Sequence, residues 1–139
     1  GVCSSFEGRY LLTEECDGSG AKDTQRLLAS GARRVFWLRV LHDYLEEGAR
    51  ALLDSLGRDT LVICESNSLR RVIEPGAFLV FQPAGVPGIK ASAREVIEHA
   101  NRIVRFDGSG FDFGPDRVEV RNGRWTLLDG GPAPRRSTS

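Results

Sequence analysis

Thr60-Leu61-Val62-Ile63-Cys64-Glu65-Ser66-Asn67-Ser68-Leu69 is an unbroken apolar run that ends abruptly in an acid, two hydroxyls and an amide. A run this short, β-rich and apolar at every position predicts a strand covered on both faces, as in the middle of a parallel sheet. Its polar end then falls at the carboxyl edge of that sheet. In open α/β folds ligands bind there, because the connections vary while the strands hold them rigidly. Glu65 is therefore the first candidate functional residue.

The chain of 139 residues is the size of one domain, and its formal net charge is zero. No global field draws it to nucleic acid or to a membrane surface. Nearly all its cations are arginine, with lysine only at Lys22 and Lys90. Cys3, Cys16 and Cys64 form no Cys-x-x-Cys pair, and His42 and His99 stand far apart, so neither a zinc site nor a disulfide framework is expected. Cys64 reads as a small core residue. No apolar run is long enough to cross a bilayer and no signal peptide is visible, which predicts a soluble cytoplasmic protein. Methionine is absent even from position 1. The expectation is an initiator that was removed, or a chain that begins inside a longer protein.

Outward from the central run, strand and helix signals alternate. Val2 to Phe6 reads as the end of a strand, Tyr10 to Thr13 as an extended piece, and Glu14 to Gly20 as a polar loop. Asp23 is placed as N-cap of a helix over Thr24 to Ser30, stopped by Gly31. Arg34 to Val40 is a strand rich in β-branched and aromatic residues. A helix over 43–56 follows, with an Asp43/Glu46 capping box, an inward face of Leu45, Ala49, Leu52, Leu53 and Leu56, and Gly57 as its stop. Beyond the run at 60–64 come a weak turn from Ser68 to Ile73 and a strand over Ala77 to Phe81. A helix over Ser92 to Ala100 turns Ala93, Val96, Ile97 and Ala100 inward, before a strand over Arg102 to Phe106.

That alternation predicts an α/β fold: a three-layer, mostly parallel sheet with helices on both faces. Val118 to Val120 and Trp125 to Leu128 flank Asn122-Gly123, the preferred centre of a type I′ hairpin, which adds a C-terminal β-hairpin. The domain is expected to span 1–129, with 130–139 a disordered tail.

Gly18-Ser19-Gly20-Ala21-Lys22-Asp23-Thr24 superficially matches a phosphate-cradling loop. Glycine and lysine are not adjacent, however, Asp23 intrudes before the hydroxyl, and no buried strand feeds the turn, so the match is rejected. Lys22 and Thr24 remain candidates for contact with an anion at a helix start, beside the plainer reading of a solvated cap.

The order of Tyr10-Leu11-Leu12-Thr13-Glu14-Glu15, then Lys22-Asp23-Thr24-Gln25-Arg26 with Ala29-Ser30-Gly31-Ala32, then a strand ending in Glu65, resembles the molybdopterin-guanine dinucleotide biosynthesis protein B family. The resemblance spans roughly positions 10 to 104. It implies a P-loop NTPase fold, binding of GTP (or ATP) with Mg2+, and a partner protein in molybdenum-cofactor biosynthesis. Two departures stand out. Ser66-Asn67-Ser68 replaces the glycine that follows the acid, and the amino-terminal strand, phosphate loop and first helix of that family have no counterpart in the chain.

By this resemblance Glu65 is the acid near the magnesium-bound γ-phosphate, Ser66 and Asn67 face phosphate or substrate, and Lys90 and Ser92 reach the base or ribose. Lys22, Asp23 and Thr24 join the nucleotide-binding or magnesium-proximal set, and any activity is a slow Mg2+-dependent hydrolysis that needs the phosphate loop. The plainer readings are an acid before a turn, turn-shaping polar residues, a solvated lysine and a helix cap. Asp107, ending the last strand of the α/β series, is a weaker candidate. Two further functions stay open. One is a non-catalytic interaction module, with homodimerisation as its mark. The other is a transferase using Glu65 as base.

Overall fold

The computed structural model describes residues 2–3, 7–85 and 88–128. The chain divides into two compact units, Gly1–Thr60 and Leu61–Ser139.

The first unit is built on a strand that alternates between sheet and solvent. Strand β1 (Val2–Cys3) runs parallel to β3 (Val35–Leu41), and β2 (Tyr10–Glu15) runs antiparallel to β3 on its other side, with Leu12 opposite Leu38. Helix α1 (Asp23–Ala29) lies between β2 and β3 in sequence and buries no residue. After a 3-10 turn at His42–Tyr44, helix α2 (Leu45–Leu56) places Leu45 and Ala49 in the core with Val35, Leu38 and Val40. Gly48 lies where a β-carbon would meet Val40 Cγ2 at 3.0 Å and Leu38 Cδ1 at 3.4 Å, so the missing side chain lets helix and sheet approach closely. At the rim, Arg34 grips the Glu14 carboxylate in a two-pronged pair of 2.8 and 2.9 Å. That hydrogen bonding holds Glu14 below the usual carboxylate range.

The second unit has a βαβ arrangement. Strands β4 (Leu79–Pro83) and β5 (Arg102–Phe106) pair in parallel with Phe81 opposite Val104. Their connection carries the short helix α3 (Ala91–Arg94) and a 3-10 turn at Ile97–His99. Val80, Ala93, Val96, Ala100 and Val104 form the buried set. A hairpin of β6 (Val118–Arg121) and β7 (Arg124–Leu127) turns at Asn122 and Gly123, with φ of 51° and 73°, the positive pair that a type I′ turn demands.

The three-layer parallel sheet is not formed. The sheets have three, two and two strands, and β2 with β3, like the hairpin, pairs antiparallel. The central strand expected at 60–64 is irregular and joins no ladder. Leu61, Val62 and Ile63 are 47%, 37% and 79% exposed, and Cys64 is exposed rather than a core residue. The Trp125 indole donates a hydrogen bond to the Val62 carbonyl at 3.0 Å, in the place of a strand neighbour. An apolar run specifies a buried strand only when the chain supplies strands on either side, and here it does not. The three-layer expectation also required helices to cover both faces, whereas α1 buries no residue and α3 is one turn long.

Smaller corrections follow local chemistry. The first helix begins at Asp23, with Lys22 in the cap position. The Asp43 capping box does not form: Asp43 Oδ1 lies 3.4 Å from His42 Nδ1, and α2 starts two residues later. Leu53, assigned inward, is 45% exposed. The tail from 130 onward lies outside the described residues.

Gly76 abuts the hairpin, where a β-carbon would stand 2.7 Å from the Trp125 carbonyl oxygen. Overpacking against groups that cannot yield costs about 1–3 kcal/mol, more than the gain of up to about 1 kcal/mol from replacing a helical glycine by alanine. Gly48→Ala and Gly76→Ala are therefore both expected to destabilise, each by about 1–2 kcal/mol in urea unfolding. A stabilised Gly48→Ala would show that α2 does not pack this closely on Val40.

Candidate functional site

The candidate residues fall into two groups, one in each unit. In the first unit Lys22, Asp23 and Thr24 open α1. Lys22 N–H donates to Gln25 Oε1 at 3.2 Å, Gln25 Nε2 donates to Asp17 Oδ2 at 3.2 Å, and Asp23 lies 3.9 Å from Arg26. The Thr24 hydroxyl donates to Glu15 Oε2 at 2.8 Å. Glu15 is held below the usual carboxylate range, first by the Asp17 N–H and then by this hydroxyl. These side chains knit the end of β2 to the start of α1.

In the second unit the polar cluster after the apolar run meets the crossover between the parallel strands. Ser66 Oγ accepts the Leu69 N–H at 3.2 Å and so starts a 3-10 turn over Ser68–Arg71. Asn67 Nδ2 donates to Ser92 Oγ at 3.3 Å, joining two candidates twenty-five positions apart. Arg71 forms an ion pair with Glu95 one helical turn further on. Lys90 precedes α3, and its carbonyl accepts the Ala93 and Arg94 N–H groups at 2.8 and 3.1 Å.

Glu65 and Lys90 are exposed, while Ser66 and Asn67 are half-buried. The structure thus gathers Asn67 and Ser92 by direct contact, with Ser66, Glu65 and Lys90 beside them in sequence. Arg70, Arg71, Lys90 and Arg94 outnumber Glu65 and Glu95 along these two segments. Such a surface favours an anionic ligand with hydroxyl and amide groups to orient it. The Arg71–Glu95 clasp escaped the sequence reading, because neither residue belongs to a motif and only the fold brings them together.

Asp107 is occupied by its own loop. Its Oδ1 accepts the Ser109 N–H at 2.8 Å, the Ser109 hydroxyl at 2.8 Å and the Gly110 N–H at 2.9 Å. Asp17, in the first unit, takes the Ser19 N–H and hydroxyl at 2.8 and 2.6 Å in the same way. The tetrapeptide Asp-Gly-Ser-Gly occurs at both places, 17–20 and 107–110, shortly after a strand. It is a chain-reversal device with a hydrogen-bonded carboxylate at its centre.

No group of three or more His, Cys, Asp or Glu capable of holding a metal ion occurs among the described residues. A magnesium ion here would be held through phosphate oxygens and one carboxylate, the usual sparse ligation of that ion, and Glu65 is the carboxylate beside the cluster. No described helix is long and apolar enough to cross a membrane. No family model, curated protein or solved structure matches the chain.

The bonds to Asp107, led by the Ser109 N–H, lower its carboxyl from 3.8 to about 2. A depressed acid contributes stability that is present above its ordinary value and lost as pH falls through the folded one. Carbon-detected titration of the Asp107 carboxyl should therefore give a midpoint near 2, and a midpoint near 3.8 would show the loop to be open.

Proposed function

We propose that the chain is a nucleotide-binding accessory protein, with GTP preferred to ATP and Mg2+ required, acting beside a partner in molybdenum-cofactor nucleotide attachment. The observation that carries this reading is the Asn67–Ser92 hydrogen bond. It links the polar cluster after the apolar run to the crossover turn of Lys90, the two segments assigned to phosphate and to base or ribose. Lys90 adds a mobile point charge and Glu65 a carboxylate for water-mediated contact with the ion. The reading rests on these side chains and not on a three-layer sheet, which the chain does not form. The stretch Gly18 to Thr24 lacks the adjacent glycine and lysine of a phosphate loop, so binding by this chain alone is weak and hydrolysis is slow.

A second reading, an interaction module without catalysis, is favoured by the apolar side chains left in solvent. Ile63 is 79% exposed and Phe81 62%. Association with a second copy would cover them.

Calorimetric titration with GTP and ATP, each with and without Mg2+, separates the readings. The nucleotide reading predicts Mg2+-dependent binding weakened about tenfold or more by Asn67→Ala, since a lost charge-assisted contact is worth about 1.5–3 kcal/mol. Glu65→Gln should abolish the Mg2+-dependent binding while leaving the fold unchanged. No binding, together with a dimer in sedimentation, would establish the interaction module instead.

A further inference from the structure

The hairpin of β6 and β7 carries a reactive pair at its tip. Asn122 and Gly123 form the turn, both are exposed, and an added β-carbon at Gly123 would meet nothing within 4 Å. Among the described residues neither the Asn122 carboxamide nor the Gly123 N–H is engaged in a hydrogen bond. The electrophile and the nucleophile of an intramolecular reaction are thus adjacent and free.

In that reaction the Gly123 backbone nitrogen bonds to Cγ of Asn122, the bond from Cγ to the side-chain nitrogen breaks, and the displaced nitrogen leaves as ammonia with the Gly123 amide proton. The product is a cyclic imide, which water opens at either carbonyl. Opening at the side-chain carbonyl gives aspartate. Opening at the backbone carbonyl gives isoaspartate, with the main chain rerouted through the side-chain carbon. A β-carbon on the following residue crowds the attack, and glycine has none.

The fold separates this site from its competitors. The chain has two other asparagines, and both are followed by residues with side chains. Asn67 is half-buried and donates to Ser92 at 3.3 Å, and Asn101 Oδ1 accepts the Phe78 N–H at 2.7 Å. Asp17 and Asp107 precede glycine, but Ser19 holds the first carboxylate and Ser109 with Gly110 the second. An ionised carboxylate is also a poorer electrophile than a carboxamide. The turn itself sets Asn122 at φ 51°, so ring closure waits for the tip to open. Opening is cheap at an exposed turn, and Arg121 and Arg124 face each other on the last rung, where like charges destabilise pairing.

Isoaspartate adds a backbone carbon to the turn, which a two-residue type I′ turn cannot absorb while Val120 stays opposite Trp125. Trp125 donates its indole N–H to the Val62 carbonyl at 3.0 Å, so a change at the tip reaches the apolar run 61–63.

We infer that Asn122-Gly123 is a site of spontaneous deamidation in the folded chain, and that its isoaspartate product releases Trp125 from Val62. The inference is independent of the nucleotide reading.

The test is ageing of the full 15N-labelled chain in mildly alkaline buffer, followed by peptide mapping with fragmentation that distinguishes aspartate from isoaspartate. The peptide holding Asn122 is expected to exchange its amide for an acid first, as a mixture of both products, while Asn67 and Asn101 keep theirs. The indole N–H resonance of Trp125 should shift in proportion to the isoaspartate formed, with that of Trp37 in place. Asn122→Asp supplies the charge without the rerouted backbone and should leave the Trp125 resonance unmoved. Retention of the Asn122 amide, equally early conversion of Asn67 or Asn101, aspartate as the sole product, or isoaspartate with an unmoved Trp125 resonance would each overturn the inference. So would a shift of that resonance in Asn122→Asp as large as in the aged chain.

Discussion

The parallel pairing of β4 with β5 is the constraint from which the second unit follows. Two parallel strands cannot be joined by a tight turn, so the chain must travel back across one face before it can pair again. Here the return path lays Ala93, Val96 and Ala100 into the interior with Val80 and Val104, and Val104 has no exposed surface at all. Burying that face fixes where the crossover begins. Lys90 and Ser92 stand at its start, and Ser92 meets Asn67 because the apolar face behind it is already committed. The polar contact is weak by itself, since one neutral hydrogen bond adds only about 0.5–1.5 kcal/mol. Its geometry is set by the packing beneath.

The apolar segment 61–63 stands in contrast. Its carbonyl at Val62 is taken by an indole N–H, and its side chains face solvent to an unusual degree. A β-prone run with an incomplete ladder has the chemistry of an unpaired edge, which natural proteins cover by pairing, charge or a partner. Glu65 closes the run with charge, and Trp125 closes part of it with a ring.

Legibility in the sequence tracked how local the determining chemistry was. The β6–β7 turn was readable because Asn122-Gly123 alone satisfies two positive φ angles, and β5 and α2 because their apolar periods are sustained and bounded. The Ala93, Val96 and Ala100 positions were right although the helix over 92–100 breaks into α3 and a 3-10 turn, since both windings bring residues three apart to one side. What failed was non-local. Nothing within 60–64 states whether strands exist to flank it, and nothing in Tyr10–Glu15 states that it will pair antiparallel with Val35–Leu41. At the candidate site Ser66, Asn67 and Ser92 were found as polar residues after strand signals, while the Arg71–Glu95 ion pair arises only from folding.

On the proposed reading, the turn at 65–71 and the crossover at 90–95 together face an anionic nucleotide. Hydrogen–deuterium exchange of the whole chain, with and without GTP and Mg2+, tests it most directly. The account predicts slowed exchange in both segments at once, with the opening of α1 unaffected or only weakly slowed. Protection confined to other parts of the chain, or none at saturating GTP, would contradict it.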